Sequence, residues 1–528
     1  MIRVNNIHLS LDYDDKSVRK AVAQQLRIEE KSIKSCKIFR RSVDARKKDS
    51  IYFLTTVDAE LNINEDKVCK KCGNAQIARK YEYNQMKFGN APSPIVVGAG
   101  PAGLFAALIL ARSGAKPILI ERGRDVDRRT ADVNRFWTSG QLDTTSNVQF
   151  GEGGAGTFSD GKLNSGTKDI RQRKVLEEFV SHGAPDEILY NAKPHIGTDM
   201  LKGTIKNIRN EIIELGGRVM FETKLVSMAF SDNKLKAITV ETANGDEIIE
   251  TDNVILAIGH SARDTFYMLH ERKLSMNPKA FAIGVRVEHL AHLINESQYG
   301  EGYPEGVPTA SYKLTHQCKG TGRGIYSFCM CPGGYVVNSS SEKGRLCVNG
   351  MSYHDRAGHN SNTALITTVT PDDFPSDSPL AGLEFQRKYE ELAYKIGNGK
   401  IPVQLFGDFL KNQMSTKLGN VTPSIKGEWQ FANLHECLPD YVCASLEEGM
   451  RAFGHKIKGY DAEDTVFSGV ETRTSSPLRM ERNKQFESNI QGLFPCGEGA
   501  GYAGGITSAA MDGIKTAEAI AEKILTQN

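Results

Sequence analysis

The side chains able to do chemistry in this 528-residue sequence are two cysteine pairs and a few clusters of basic and acidic residues. Cys329 and Cys331 lie in Y-S-F-C-M-C-P-G-G-Y-V-V-N. Residues i and i+2 of a strand share a face, so a hairpin turning at Pro332 to Gly334 would aim both thiols one way. Two readings stay open, a redox or thiolate pair and two small side chains filling a tight turn. Cys69 and Cys72 form C-K-K-C, where two lysines would lower a thiol pKa. Zinc there would need a second ligand pair, and none follows, so no metal site is expected. That pair falls in no βαβ unit, which favours a structural or incidental role. His260, Arg263 and Asp264 follow a strand ending at Gly259, where an α/β sheet opens its crevice. They are candidates for catalysis or for capping the next helix. Arg473 and Arg479 flank Ser475, Ser476 and Pro477, while His354, Asp355 and Arg356 stand together. Arginines so placed clamp a carboxylate through paired N–H donors or make structural ion pairs.

Glycine shows which elements must position these groups. The chain has 50 glycines, above the ordinary share, and only 18 prolines. Fifteen of the glycines fall in three segments, Gly98 to Gly103, Gly151 to Gly161 and Gly492 to Gly513. The first belongs to I-V-V-G-A-G-P-A-G-L-F-A-A-L-I-L-A-R-S-G-A-K-P-I-L-I-E-R. Ile95 to Val97 reads as a buried strand, Leu104 to Ser113 as a helix ended by Gly114, and Pro117 to Ile120 as the next strand. Gly98 permits the sharp turn and Gly100 bares backbone to a pyrophosphate. Gly103 lets helix and strand pack closely, the helix N-terminus points its N–H groups at the phosphates, and Pro101 and Ala102 in the turn are counted with the cofactor-binding residues. Glu121, followed by Arg122, would accept hydrogen bonds from ribose hydroxyls and repel a 2′-phosphate. Strand, glycines, helix, helix-ending glycine and acid all fall in register, so a dinucleotide site is expected.

The second glycine cluster is G-E-G-G-A-G-T-F-S-D-G-K and the third G-L-F-P-C-G-E-G-A-G-Y-A-G-G-I-T-S-A-A-M-D-G. Between them lies V-I-L-A-I-G-H-S-A-R-D. This order resembles the FAD-binding superfamily that includes glutathione reductase and the fumarate reductase flavoproteins. The resemblance covers about 94–265 and 485–528. It implies FAD held by Gly153, Gly154, Ala155, Gly156, Ser159 and Lys162, with Ala257 and Gly259 beside the cofactor. It also implies that Leu225 and Val226 offer backbone to the adenine. Glu498, next to Gly497, stands where the superfamily has an acid, usually Asp, bonding the ribityl chain or the pyrophosphate. Gly504, Gly505 and Ile506 would open a last helix whose positive end faces the flavin and stabilises its reduced anion. A narrower resemblance spans nearly the whole chain. F-A-I-G-V-R-V-E-H, F-C-M-C-P-G-G, S-Y-H-D-R-A-G-H-N-S-N and E-T-R-T-S-S-P-L-R are similar to the bacterial FAD-utilising dehydrogenases labelled "NAD-utilising dehydrogenase".

The fold class expected is α/β, a doubly wound FAD domain with an inserted α+β substrate domain and a small N-terminal α+β domain. The boundaries expected are 1–90, 91–274, 275–480 and 481–528. Residues 1–90 hold 19 Lys and Arg against 12 Asp and Glu, whereas the whole chain carries only +2. That basic module could dock RNA or an acidic electron-transfer partner. It lacks interleaved aromatic platforms, so nucleic acid is an unlikely partner. No second strand-linked G-x-G-x-x-G lies in 275–480, so any NADH or NADPH donor must enter the substrate cleft. No signal peptide or uninterrupted membrane-length run is seen, and a cytoplasmic setting is expected. The activity expected is that of an FAD-dependent oxidoreductase moving hydride through flavin N5 to or from a small molecule. His260, Arg263, Cys329, Cys331 and Arg473 are the catalytic candidates. The alternatives are a flavoprotein of RNA modification and a flavin-linked dithiol oxidoreductase.

Overall fold

A computed structural model describes residues 1–87 and 93–527. The expected boundary at 90/91 and part of the linker Tyr81 to Ser93 lie outside the described residues.

Five short strands form a parallel sheet in the order Leu493–Pro495, Val254–Leu256, Ile95–Val97, Ile118–Ile120, Arg218–Met220. Each is three residues long. The apolar triplets Ile95–Val97 and Val254–Leu256 are wholly buried, as a strand covered on both faces must be. The helix Pro101–Ser113 packs on this sheet and against the last helix, Ile506–Gln527. It begins three residues before Leu104, because Gly100 serves as its N-cap and Pro101 fits its first turn. Gly114 ends it in a left-handed conformation at φ 103°. An antiparallel three-stranded sheet, Gly245–Glu250, Lys234–Thr242 and Lys224–Ser231, completes this part.

The inserted part is built on a seven-stranded sheet. Its order is Thr315–Gln317, Gly324–Cys331, Asn360–Val369, Phe281–Leu290, Val466–Glu471, Ile401–Leu405, Trp429–Phe431. Its two crossing segments, Met276–Pro278 and Leu478–Met480, pair antiparallel with each other. The core of this part is the largest apolar cluster of the molecule and includes Ile283, Val285, Leu365, Phe406 and Phe467. Near the N-terminus, Ile33–Asp44, Tyr52–Leu61, Ile2–Leu9 and Ala75–Ile77 make a four-stranded sheet packed on the helix Asp15–Leu26. Part of its basic character is spent on partners within the chain. Arg41 donates to Asn191 and Tyr13, Arg46 to Asp44, and Lys48 to the Ser297 carbonyl.

One sequence expectation fails. Gly324–Cys331 and Tyr335–Asn338 do not form a hairpin about Pro332 to Gly334. The first belongs to the seven-stranded sheet, while the second pairs with Val348–Met351 and Ile425–Lys426. The chain changes sheets there because both glycines lie against backbone. A Cβ at Gly333 would come within 1.7 Å of the Arg356 carbonyl oxygen, and one at Gly334 within 2.4 Å of that of Met351.

Candidate functional site

A cavity of about 360 Å³ follows the C-terminal edge of the parallel sheet and continues into the inserted domain. The first and third glycine segments reach it through Gly98, Gly100, Gly504, Gly505 and Ile506, the second through Gly154, Ala155 and Gly156. Pro101, Ala102, Ala257, Gly259, Leu225, Ser159, Lys162 and Glu498 line it as well. At the far end the inserted domain supplies Phe328, Cys329, Asn349, Glu471, Arg473 and Thr474.

The glycines divide into two kinds. Gly98 has φ 101°, and a Cβ on it would lie 2.4 Å from the Ala257 carbonyl oxygen. A Cβ on Gly103 would lie 1.8 Å from the Gly98 oxygen, and one on Gly513 2.1 Å from the Ala102 oxygen. These three are required by the protein's own packing. Gly100 is different, with an ordinary φ of −74° and nothing closer to its Cβ position than 3.8 Å. Gly504 and Gly505 have nothing within 4 Å, and neither is left-handed. Nothing in the protein forbids side chains at these three. Bare backbone there leaves room for a ligand lying across two helix N-termini, the donor set a dinucleotide pyrophosphate needs.

The loops are held by buried polar groups. Glu121 accepts from the backbone N–H groups of Ala99, Gly123 and Gly151, at 2.8, 3.0 and 3.0 Å. Its carboxylate therefore ties two glycine segments together, beyond the ribose role expected of it. Arg129 is fully buried and clamps the second segment through the carbonyls of Asn147, Val148 and Glu152, at 2.8, 2.9 and 2.6 Å. Arg122 pairs with Asp264 at 3.0 Å and lies over the Phe150 ring. The Gly497 N–H donates to Asp512, which also holds Arg482.

Several expected residues stand behind the cavity wall. Gly103, Gly153, Gly497 and Val226 do not line it. Gly153 packs on Thr157 and Ile205, and Gly497 on Ala102. Arg263 does not line it either, which corrects its placement among the catalytic candidates. It is buried and donates to both oxygens of Glu390, each at 2.8 Å, and also to Gln386 and Glu342. Arg473 reaches the same carboxylate at 2.8 and 2.9 Å and also donates to Ser341 and Ser261. Burial would raise the Glu390 pKa, but the two guanidiniums hold it well below the usual carboxylate range. His260 lines the cavity with its ring beside Ser261, and burial together with Arg473 and Arg263 lowers its pKa to about 3. It is a neutral imidazole. Arg479 lies over Tyr502 and donates to the Gly501 carbonyl. Cys69 and Cys72 sit in and after the short helix Glu65–Lys71, far in the fold from the cavity lining.

Two groupings escaped the sequence. Asp160 binds Arg356 at 2.6 and 3.1 Å and Lys162 at 2.9 Å. Its burial opposes ionisation, yet the two cations lower its pKa to about 2. Arg286 pairs with Glu471 at 2.6 and 3.1 Å and also donates to Asn349 and to the Cys329 carbonyl. A signal for the second existed in F-A-I-G-V-R-V-E-H, where charges interrupt an otherwise apolar strand.

Residues 280–474 match the family described as "FAD-dependent protein, C-terminal domain-like", and residues 93–132 match an FAD binding domain. Residues 1–60 match a domain of unknown function. A Clostridium beijerinckii protein described as uncharacterized is 52% identical over 531 residues, spanning 99% of each chain. The chain belongs to that protein's family, and its cofactor is FAD. Among solved structures, a flavin-dependent brominase aligns over 83% of this chain and 80% of its own, at 12% identity and a TM-score of 0.39. A flavoprotein/dehydrogenase from Cytophaga hutchinsonii aligns over 82% and 79%, at 13% identity and a TM-score of 0.35. Gly100, Gly504 and Gly505 leave bare backbone along the cavity, whereas a Cβ on Gly154, left-handed at φ 61°, would come within 3.0 Å of the Gly100 Cα. Glu498 stands among them as a carboxyl whose pKa burial lifts to about 7 against the pull of Lys279.

Proposed function

We propose that this protein is an FAD-dependent oxidoreductase of the dehydrogenase or reductase type, acting on a small molecule at the inserted-domain end of the cavity. One observation carries the reading: a single cavity joins the glycine cradle to a polar chamber supplied by the inserted domain. Bound FAD supplies two-electron hydride chemistry at its N5 atom. The chain's own groups position and exclude. The start of the helix Ile506–Gln527 favours negative charge on a reduced flavin. Lys162, Cys329, Asn349, Glu471 and Arg473 surround the remaining space. Glu498, at about 7, can hold or release a proton near neutral pH.

NADH or NADPH is the proposed electron donor, entering the same chamber. The strings shared with the "NAD-utilising dehydrogenase" proteins support this. All ten cysteines are free, which suits a reducing, cytoplasmic setting. Among the described residues, no helix is long and apolar enough to cross a membrane. The test is an anaerobic titration of the yellow protein with NADH and then NADPH, following the flavin band. Bleaching by one of them is expected. If dithionite bleaches the band and neither nicotinamide does, the donor assignment fails.

A further inference from the structure

Cys329 and Cys331 stand where the strand Gly324–Cys331 leaves its sheet. Its pairing with Asn360–Val369 slips between Phe328 and Cys331, and Cys329 takes a left-handed backbone at φ 43°. A bulge of this kind re-aims a side chain and is uncommon for a residue with a Cβ. The Cys329 thiol lines the cavity, whereas Cys331 is buried behind it with its sulfur turned back to the Cys329 carbonyl at 3.3 Å. The surroundings are not those of two small apolar fillers. Arg286 donates to the Cys329 carbonyl at 3.0 Å and lies 4.0 Å from the Cys331 sulfur. Lys162 and Glu471 share the cavity wall with Cys329.

We propose that Cys329 and Cys331 are a redox-active dithiol that exchanges two electrons with FAD bound in this cavity. The proposal rests on the oxidoreductase reading above and names the groups that carry its electrons on the protein side. In the oxidative direction the two S–H bonds are lost and one S–S bond forms. Two electrons and two protons leave the cysteines, which is what FAD takes up on becoming FADH2, and the reverse restores both thiols. Successive same-side residues of a pleated strand lie about 6.6–6.8 Å apart, the outer limit for bridged Cα atoms. The bulge and the left-handed residue depart from that pleat and turn the Cys331 sulfur back onto the Cys329 backbone carbonyl. The pair is also electrically uneven. The neighbouring Cys331 thiol, with Lys162 and Arg286 nearby, draws the Cys329 pKa well below the usual thiol range against its burial. The Cys329 thiol, with burial, pushes Cys331 well above it. The cavity-facing sulfur of Cys329 is thus the nucleophile and that of Cys331 keeps its proton until the bond closes.

The test uses the holoprotein, its FAD first verified by release and spectrum, reduced and then air-oxidised. Anaerobic dithionite titration is expected to take four electrons per FAD, two for the flavin and two for the disulfide. Cys329→Ser and Cys331→Ser should each take two while retaining bound FAD. Acid quenching, alkylation and mass spectrometry should find the peptide unalkylated and lighter by two hydrogens when oxidised, and doubly alkylated when reduced. Two electrons per FAD in the wild-type protein, with both thiols alkylated in both states, would overturn the proposal. That wild-type measurement decides even if the serine variants fail to fold. Absence of flavin from the purified protein would instead refute the oxidoreductase reading beneath it.

Discussion

Gly100→Ala separates a glycine kept for the fold from one kept for a ligand. In the protein alone the new methyl has its nearest neighbour, the Gly154 Cα, at 3.8 Å, and φ −74°, ψ −179° is open to any residue. The fold then loses only the advantage of glycine over alanine at a helix N-cap, less than about 1 kcal/mol. If the pyrophosphate of FAD lies on the first helical N–H groups, as the sequence motif implies, the methyl would take up the space between them. Overpacking by a group of this size costs about 1–3 kcal/mol. At 1.4 kcal/mol per tenfold, that is about 5- to 150-fold in Kd. Gly103→Ala is the contrast, because its Cβ would lie 1.8 Å from the Gly98 oxygen and the backbone itself must move. Apoprotein stripped of FAD is unfolded in urea to measure stability and titrated with FAD to measure affinity. Gly100→Ala should keep the urea midpoint and weaken FAD, whereas Gly103→Ala should lower the midpoint. Wild-type affinity in Gly100→Ala would refute the reasoning, as would a midpoint lowered as far as that of Gly103→Ala.

Two further predictions concern buried charge. Glu390→Gln removes the carboxylate shared by Arg263 and Arg473 and leaves two buried guanidiniums facing each other. It should destabilise the protein by about 3–5 kcal/mol, read as a urea midpoint, and a loss under about 1 kcal/mol would contradict the role given to Glu390. Glu288 accepts from Asn360 and from the Ser424 N–H through Oε1, while its Oε2 and the Asn360 Oδ1 have no partner, as suits a protonated carboxyl. Burial lifts its pKa from 4.5 to about 7. A raised carboxyl keeps a proton in the fold that the unfolded chain has lost. Its contribution is therefore complete below about pH 4.5, declines as pH rises, and is gone above about 7, for about 3 kcal/mol in all. Glu288→Gln should flatten the stability profile between about pH 4.5 and 7, and an unchanged slope would count against a protonated Glu288.

The parts legible in the sequence are those fixed by neighbours along the chain. The apolar triplets, the turn at Gly98 and the stop at Gly114 need only a few adjacent residues to be read. The sequence pattern places the start of the helix Pro101–Ser113 three residues late, because Pro101 suits the first turn of a helix as well as a loop. Contacts between distant strands leave no comparable trace. Asp160 meets Arg356 across 196 positions and Arg286 meets Glu471 across 185. Whether an arginine clamps a substrate or a protein carboxylate depends on that meeting. The assumed hairpin failed for the same reason. A Pro-Gly-Gly turn suits a hairpin equally well, and only the backbone of Arg356 and Met351, packed against the two glycines, sends the chain into another sheet.

These pairings bear on what the chamber can accept. Each arginine near the cavity is already matched within the chain, Arg473 by Glu390, Arg122 by Asp264 and Arg356 by Asp160. Lys162 shares Asp160 as well. An anionic substrate would have to compete with a carboxylate already in place, and at Asp160 or Glu390 with one buried and multiply hydrogen-bonded. A carboxylate clamp built from these arginines is therefore disfavoured. What remains at the polar end is a carboxyl near its titration point at Glu498, a thiol at Cys329, and the amide of Asn349. Those groups suit proton and electron transfer rather than capture of a reactant by a charge clamp. The positive start of the helix Pro101–Ser113 is left for an anionic phosphate and that of Ile506–Gln527 for a reduced flavin.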